Sequence, residues 1–358
     1  MTMPLDEQRT WAQRYLHFAA HECPDEAVYV ALCLAVAADP ELLALHDEVP
    51  PSQARPNLLL AALHERLLAD PRDPLAAYFP NLGGTRAPDA DLPAALRALA
   101  LGPQRAVLRQ HLRSRATQTN EAGRTALLRL GLDALGAEHP RLALFELGAS
   151  AGLNLGVDED RIDYGGFQRG PGTRLQLGCD WRGPGAPPPE SAWSVVARHG
   201  VDPAPVSVED ANARRWLQAC LWPHDRARHT RLSQALAWAQ GQDWRVQPCR
   251  DEQQGLDQLQ AWQASLPAAV QPVLLTSWVL AYLQPAALAA FHQRALHLVR
   301  ERGLAWICLE PLACHPLSPL PPAAPEPTAC LLSLHRARGS QALLWAHAHG
   351  RWARPVGA

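Results

Sequence analysis

The spacing of apolar residues changes character once along the chain, near residue 136. Before that point apolar positions recur every three or four residues, the period of a helix with one buried face. EQRTWAQRYLHFAAH (Glu7–His21) carries the pattern, as do VYVALCLAVAAD, ELLALH, DLPAALRALA and PQRAVLRQHLRSRA. NLLLAALHERLLAD (Asn57–Asp70) carries it too and is stopped by PRDP. No strand pattern intrudes, so residues 1–135 are predicted to be a helical region.

After LGAEHP the pattern shortens. RLALFELG is a continuous apolar run bounded by Pro140 and Gly148, the form of a strand buried on both faces. PVLLTSW and LAWICLEP repeat that form, RLQLGCDW (Arg174–Trp181) alternates like a strand, and WRVQPC is a shorter candidate. DANARRWLQACLW, RARHTRLSQALAWAQ, LDQLQAWQASL and AALAAFHQRALHLVRERG are helical in pattern. ACLLSLHRA and SQALLWAHAHG read as a final antiparallel pair turning near Arg338–Gly339. Strands alternating with helices and closed by a hairpin predict an open, doubly wound α/β sheet over residues 136–358. GPGAPPPE falls in an irregular insertion at about 156–200. Ligands of such sheets bind outside the carboxyl ends of the strands, where the strand order reverses.

Composition narrows the partners. Charged residues make up 19% of the chain and the net charge is -2, so a broad attraction to nucleic acid or anionic membrane is not expected. No apolar run reaches the roughly 20 residues of a membrane span. The charged opening MTMPLDEQRTW lacks the apolar stretch of a signal peptide. The eight cysteines form no CxxC, which suits free thiols in a reducing compartment. The expectation is a cytoplasmic protein with a small-molecule substrate, no membrane and no nucleic acid; composition leaves the oligomeric state open.

The chemistry concentrates in LFELGASAGLNL (Leu144–Leu155). An apolar strand ends in an acid, Glu146, and small residues follow at Gly148, Ser150 and Gly152, with Asn154 next. Gly148 permits a turn that a side chain would obstruct. Glu146 so close to the turn is poorly suited to a phosphate and suits a cationic or hydroxylated group. The residues alone leave two readings open, a cofactor loop and a tight structural turn.

Other candidates each have a bland alternative. Asn120, Glu121 and Arg124 of TNEAGR either cap a helix, through Thr119 or Asn120, or line the mouth of a cleft and meet substrate. Asp163 and Tyr164 precede Gly165–Gly166 and either order a charged loop or touch a ligand. His347 and His349 of HAHGRW would share one face of a strand, but a metal wants three or four ligands. No metal is expected, leaving His349 to packing or to substrate and Arg351 to an anionic group or a surface salt bridge. LWPHDRARHTRL reads as a solvated cationic helix face. GxxxxGK[ST] and HExxH are absent. No G-x-S-x-G nucleophile elbow is expected, which disfavours an α/β-hydrolase; Ser277 follows PVLLT but has no flanking glycines.

The landmarks TNEAGR, FELGASAGLNL, DYGG (Asp163–Gly166), CDWRG (Cys179–Gly183), LWPHDRARHTRL, TSWVLAYL (Thr276–Leu283), LEP (Leu309–Pro311) and HAHGRW together resemble a bacterial family labelled domain of unknown function 2332. The glycine loop in turn resembles motif I of class I S-adenosylmethionine-dependent methyltransferases. There an acid lies two residues before the first glycine of GxGxG. Glu146, Gly148, Ser150 and Gly152 fit that pattern with Ser for the middle Gly. The resemblance implies a Rossmann-like fold, S-adenosyl-L-methionine as cofactor, and contacts from Glu146, Gly148, Ser150, Gly152 and Asn154. It also implies an acid ending the second strand, for which Asp180 and Asp202 both stand as candidates. Asp251 then falls at the end of the third strand and Ser277 at the end of the fourth. No catalytic base is indicated; Asp163, Tyr164 and His349 are the candidates. The alternative is a non-catalytic binding or scaffold protein that kept the fold and lost the cofactor, which Ser150 and the ambiguous second-strand acid favour.

Overall fold

The structure is a computed structural model, described for residues 3–321 and 324–357. The chain divides into two compact units, Met1–Thr119 with Asp210–Ser233, and Asn120–Glu209 with Gln234–Ala358.

The first unit is helical. It contains α1 (Leu5–His17), α2 (Ala27–Ala37), α3 (Pro40–Leu43), α4 (Pro56–Ala69), α5 (Leu92–Leu101) and α6 (Arg105–Ser114). Pro56 occupies the first turn of α4, where its missing N–H costs nothing. Leu58 to Leu63 of α4 are all buried, so this helix is the centre of the unit's core. The chain returns to the unit with α8 (Ala211–Ala219) and the start of α9 (Arg226–Gln240). Trp216 of α8 is buried, and its indole N–H donates to Ala116 O at 2.8 Å. Glu65 of α4, also buried, receives Arg66 Nε at 2.7 Å, Arg215 Nε at 2.6 Å and His111 Nε2 at 3.1 Å. Burial pushes its carboxyl up, but these three bonds outweigh it and hold the group well below the usual carboxylate range. His229 of LWPHDRARHTRL is buried, with Nδ1 3.0 Å from Gln218 Oε1. That stretch is therefore partly core and not only a solvated face.

The second unit is built on a nine-stranded sheet. Its strands are β1 (Arg141–Leu147), β5 (Asp180–Trp181), β6 (Ser194–Asp202), β7 (Gln247–Pro248), β8 (Gln271–Ser277), β9 (Ala305–Pro311), β10 (Cys330–Arg336), β11 (Gly339–Ala346) and β12 (Trp352–Pro355). They lie in the order β5-β12-β11-β10-β9-β8-β1-β6-β7. β7, β6, β1, β8 and β9 run parallel; β10, β11 and β12 are successively antiparallel. Numbered along the chain, the parallel strands stand third, second, first, fourth, fifth, and the order reverses between β1 and β8. Phe145, Leu147, Leu274 and Trp306 of the sheet share a core with Phe291, Ala295 and Leu298 of α11 (Pro285–Arg302) and Leu256 and Leu259 of α10 (Glu252–Ala264). The expected terminal pair is present as β10 and β11.

Several expectations need correcting. The helix α7 (Thr125–Gly136) packs on β9 and β10 and so belongs with the sheet, placing the boundary at Thr119 and not at 135. SVVARHGVD, expected within the insertion, is β6 and pairs with β1 along its length. RLQLGCDW is not one strand. Gln176–Gly178 is β4 of a small sheet with β2 (Arg161–Asp163) and β3 (Gln168–Arg169), whereas Asp180–Trp181 is β5, paired with β12. WRVQPC contributes only the two residues of β7. His347 and His349 lie in the turn between β11 and β12, so strand alternation does not apply to them. Among the described residues no single helix is long and apolar enough to cross a membrane.

Candidate functional site

β1 ends at Leu147 in the middle of the parallel run, and the chain turns sharply there. Gly148 has φ +73°, Ser150 +53° and Gly152 +73°. A Cβ on Gly148 would fall 2.4 Å from Val279 Cγ2, and one on Gly152 would fall 2.6 Å from Trp244 Cζ3. Both positions therefore require glycine for conformation and for space. The loop is tied to the neighbouring strand. Gly148 N and Ala149 N donate to Val201 O at 2.9 and 3.1 Å, and Ser150 N donates to Asp202 Oδ2 at 2.8 Å. Asp202 is the last residue of β6 and also accepts from Ala204 N at 2.8 Å. The acid ending the second strand is thus Asp202; Asp180 sits in β5, beside β12.

The same five residues, Gly-Ala-Ser-Ala-Gly, have the G-x-S-x-G spacing of a nucleophile elbow. The expectation that no such spacing occurs is corrected: it is absent at Ser277 but present at Ser150. An elbow leads into a helix, but here the 3₁₀ segment Leu153–Glu159 follows, with a kink at Gly156. The spacing is shared and the architecture is not.

Glu146 lies under this loop and is 2% exposed. Its Oε1 accepts from Asn154 Nδ2 at 2.7 Å, while Oε2 is shut from solvent with no partner among the described residues. Burial pushes its carboxyl up to about 8, only partly offset by the Asn154 bond and by Arg124. Asn154 Oδ1 is likewise buried without a partner. Ser277 ends β8, the neighbour of β1. Glu146 is in register with Leu275, so Ser277, two residues on, projects from the same face of the sheet. Its Oγ is a third buried polar atom without a partner.

Beside Ser277 the sequence landmarks converge. Arg124 of TNEAGR is buried, and burial pushes its pKa below the ordinary range. Its Nη1 donates to Ser277 O at 3.1 Å and its Nε to Ala348 O of HAHGRW at 2.9 Å. Its guanidinium stands 5.7 Å from the Trp278 ring. Trp278 has φ +58°, and among the described residues only it and Ser150 are non-glycines at positive φ. Such conformations cluster at functional sites. Glu310 of LEP is buried, and its Oε1 accepts from Val279 N at 3.1 Å and Leu280 N at 3.3 Å. Burial raises its carboxyl to about 8 as well. From sequence Glu310 stands only as the acid ending LAWICLEP and a conceivable third metal ligand, and Trp278 only as part of the end of the fourth strand; neither is given this place. The signal was an acid one residue before the end of an apolar strand, repeated in LFEL and ICLEP.

The remaining candidates are placed as follows. Glu121, and not Thr119 or Asn120, caps the 3₁₀ turn before α7 by accepting from Gly123 N at 2.9 Å. Asn120 is buried with its Nδ2 unpartnered. Asp163 accepts from Gly166 N at 2.6 Å within the small sheet's turn. Tyr164 is buried and donates to Ala126 O at 2.5 Å. Asp251 caps α10 by accepting from Gln254 N at 2.8 Å. His347 Nδ1 accepts from His349 N at 3.0 Å, and Arg351 O accepts from Asp180 N at 2.9 Å. Asp158 and Asp160 pair with Arg198 and Arg174, both at 2.6 Å. No group of three or more His, Cys, Asp or Glu side chains suited to a metal occurs among the described residues.

A helical unit and a mixed parallel and antiparallel sheet make this an α/β protein with its polar groups gathered at the carboxyl ends of the parallel strands. The chain belongs to the family described as uncharacterized protein conserved in bacteria (DUF2332), which matches residues 12–354. No curated protein and no solved structure matches it.

Proposed function

We propose that this protein is an S-adenosyl-L-methionine-dependent methyltransferase acting on a small molecule, with a Rossmann-like sheet. The observation that carries the reading is the Gly148–Gly152 loop at the reversal of strand order, with half of the Glu146 carboxyl unpartnered beneath it. Ligands of doubly wound sheets bind at such a reversal. The residues present fit the group at three points. Glu146 Oε2, Asn154 Oδ1 and Ser277 Oγ are buried polar atoms left for a ligand to satisfy. The cofactor, when bound, supplies a methyl group already activated on a sulfonium. The protein's task is then to align an acceptor, which needs little acid–base machinery. Glu146 and Asn154 would hold the cofactor's polar end, and Ser277, fixed through its carbonyl by Arg124, would orient the reacting end. Among the substrate candidates, buried Asn120 with its free amide N–H is better placed to meet a ligand than Glu121, Arg124 or Arg351. Asp163 and Tyr164 are taken up by the fold, and His349 stands as the third catalytic candidate.

A second reading, a binding protein on this sheet without the cofactor, is favoured by a specific observation. Trp244 occupies the space over Gly152, and both oxygens of Asp202 are bonded to backbone N–H groups and not left to a ribose. Calorimetry with S-adenosylmethionine and S-adenosylhomocysteine separates the two. Saturable binding with Kd below about 1 mM is expected for the enzyme. Binding that emerges only in Trp244→Ala supports the second reading.

A further inference from the structure

A buried carboxylate is ordinarily matched by a cation or by several hydrogen bonds. Glu146 has neither. Its single bond comes from Asn154, and its second oxygen has no partner among the described residues. Three charged groups act on it from the surrounding elements: Arg124, Arg174 and Asp202. The two guanidiniums are committed elsewhere. Arg124 donates to the carbonyls of Ser277 and Ala348. Arg174 is paired with Asp160 at 2.6 Å and donates to Leu153 O at 2.5 Å. Asp202 carries the same sign as an ionised Glu146. Asn154 Oδ1, an acceptor on the side chain bonded to Glu146, is also without a donor. Two adjacent side chains thus offer acceptor oxygens in a shell whose positive charges are spent. Such a shell calls for a donor that brings positive charge, and until one arrives the least costly state keeps the carboxyl protonated.

We propose that the ligand of this site is a cation, and that Glu146 releases its proton to solvent as the cation binds. The charge follows from the residues; the identity of the cation rests on the methyltransferase reading. The sign of the pH dependence is fixed. Below the free-state value of about 8 the cation displaces a proton, so its affinity rises with pH by roughly tenfold per unit and levels off above that value. A neutral ligand shows no such slope.

The test is calorimetry on the full chain at about pH 7 in two buffers of different ionisation enthalpy, which counts the protons released. S-adenosylmethionine is expected to release about one proton, 5′-methylthioadenosine none, and S-adenosylmethionine binding to Glu146→Gln none. Gln keeps the shape and the bond to Asn154, and an unchanged melting temperature verifies its fold. Binding of S-adenosylmethionine without proton release overturns the proposal, as does equal release by the neutral nucleoside. If neither nucleoside binds, the methyltransferase reading fails and the proposal is read with trimethylsulfonium and methylammonium. A rise in melting temperature at about pH 9 that is absent at about pH 6 and absent in Glu146→Gln upholds it; no rise at either pH overturns it.

Discussion

Glu146 and Glu310 hold like positions in their strands, on opposite faces of the sheet, and do different things. Each is the penultimate residue of a buried parallel strand, on either side of β8. Burial raises each carboxyl to about 8. Glu310 spends an oxygen on two backbone N–H groups of the segment after β8, and so braces the chain. Glu146 takes one side-chain amide and leaves an oxygen open. Depth of burial does not separate a structural acid from a ligand-facing one; the count of donors does.

That contrast can be broken by experiment. The largest effect is expected for Glu310→Ala, which strands the N–H groups of Val279 and Leu280 in a dry site. Chemical denaturation should register a loss of about 3 kcal/mol, and Glu146→Ala should cost clearly less. Equal losses would show that both acids are structural. Gly148→Ala comes next, at about 2 kcal/mol, because the new methyl would strike Val279 at a positive-φ position. Val279 is also held by Glu310, so this variant asks whether loop and brace form one packed piece. A loss under about 0.5 kcal/mol would mean that they do not.

The pH dependence is gentler and discriminates further. Both acids are raised in the folded protein, so it binds more protons than the unfolded chain between about 4.5 and 8. Their contribution to stability is complete below about 4.5 and is lost as pH rises through about 8. Melting temperature should fall across that window, and the fall should shrink in Glu146→Gln. The smallest effect is Glu146→Gln at neutral pH, where an already neutral side chain is replaced by another and stability stays within about 1 kcal/mol. A flat profile in the unaltered protein would remove the premise that either acid is neutral at pH 7.

Legibility in the sequence followed burial. β1, β8 and β9 are buried on both faces, so RLALFEL, QPVLLTS and AWICLEP announce themselves as apolar runs. β6 pairs fully with β1 but with β7 only at its last two residues, and only its last residues are buried. Arg198 reaches across to Leu155 O and Asp158, and these polar positions disguise the strand as an insertion. The glycine loop was legible as a loop. Its tie to Asp202, fifty-two residues later, was not, because register between distant strands leaves no local mark. The cap at Glu121 and the turn at His347–His349 were misjudged for the same reason: each is decided by where the chain goes next. The return of Asp210–Ser233 to the helical unit left no trace either, since the amphipathic pattern of α8 names a buried face without naming what buries it.

That return has a consequence for synthesis. When residues 1–119 have been made, α4 exists without the groups that complete it. Glu65 lacks Arg215, His64 lacks the carbonyl of Ala219 to which its Nδ1 lies at 3.1 Å, and the Ala116 carbonyl lacks Trp216. The first unit to be translated is therefore interrupted before it can be finished. It waits, with a buried acid only partly matched, until more than ninety further residues have been made, and β1, the Gly148–Gly152 loop and β6 emerge from the ribosome before it closes.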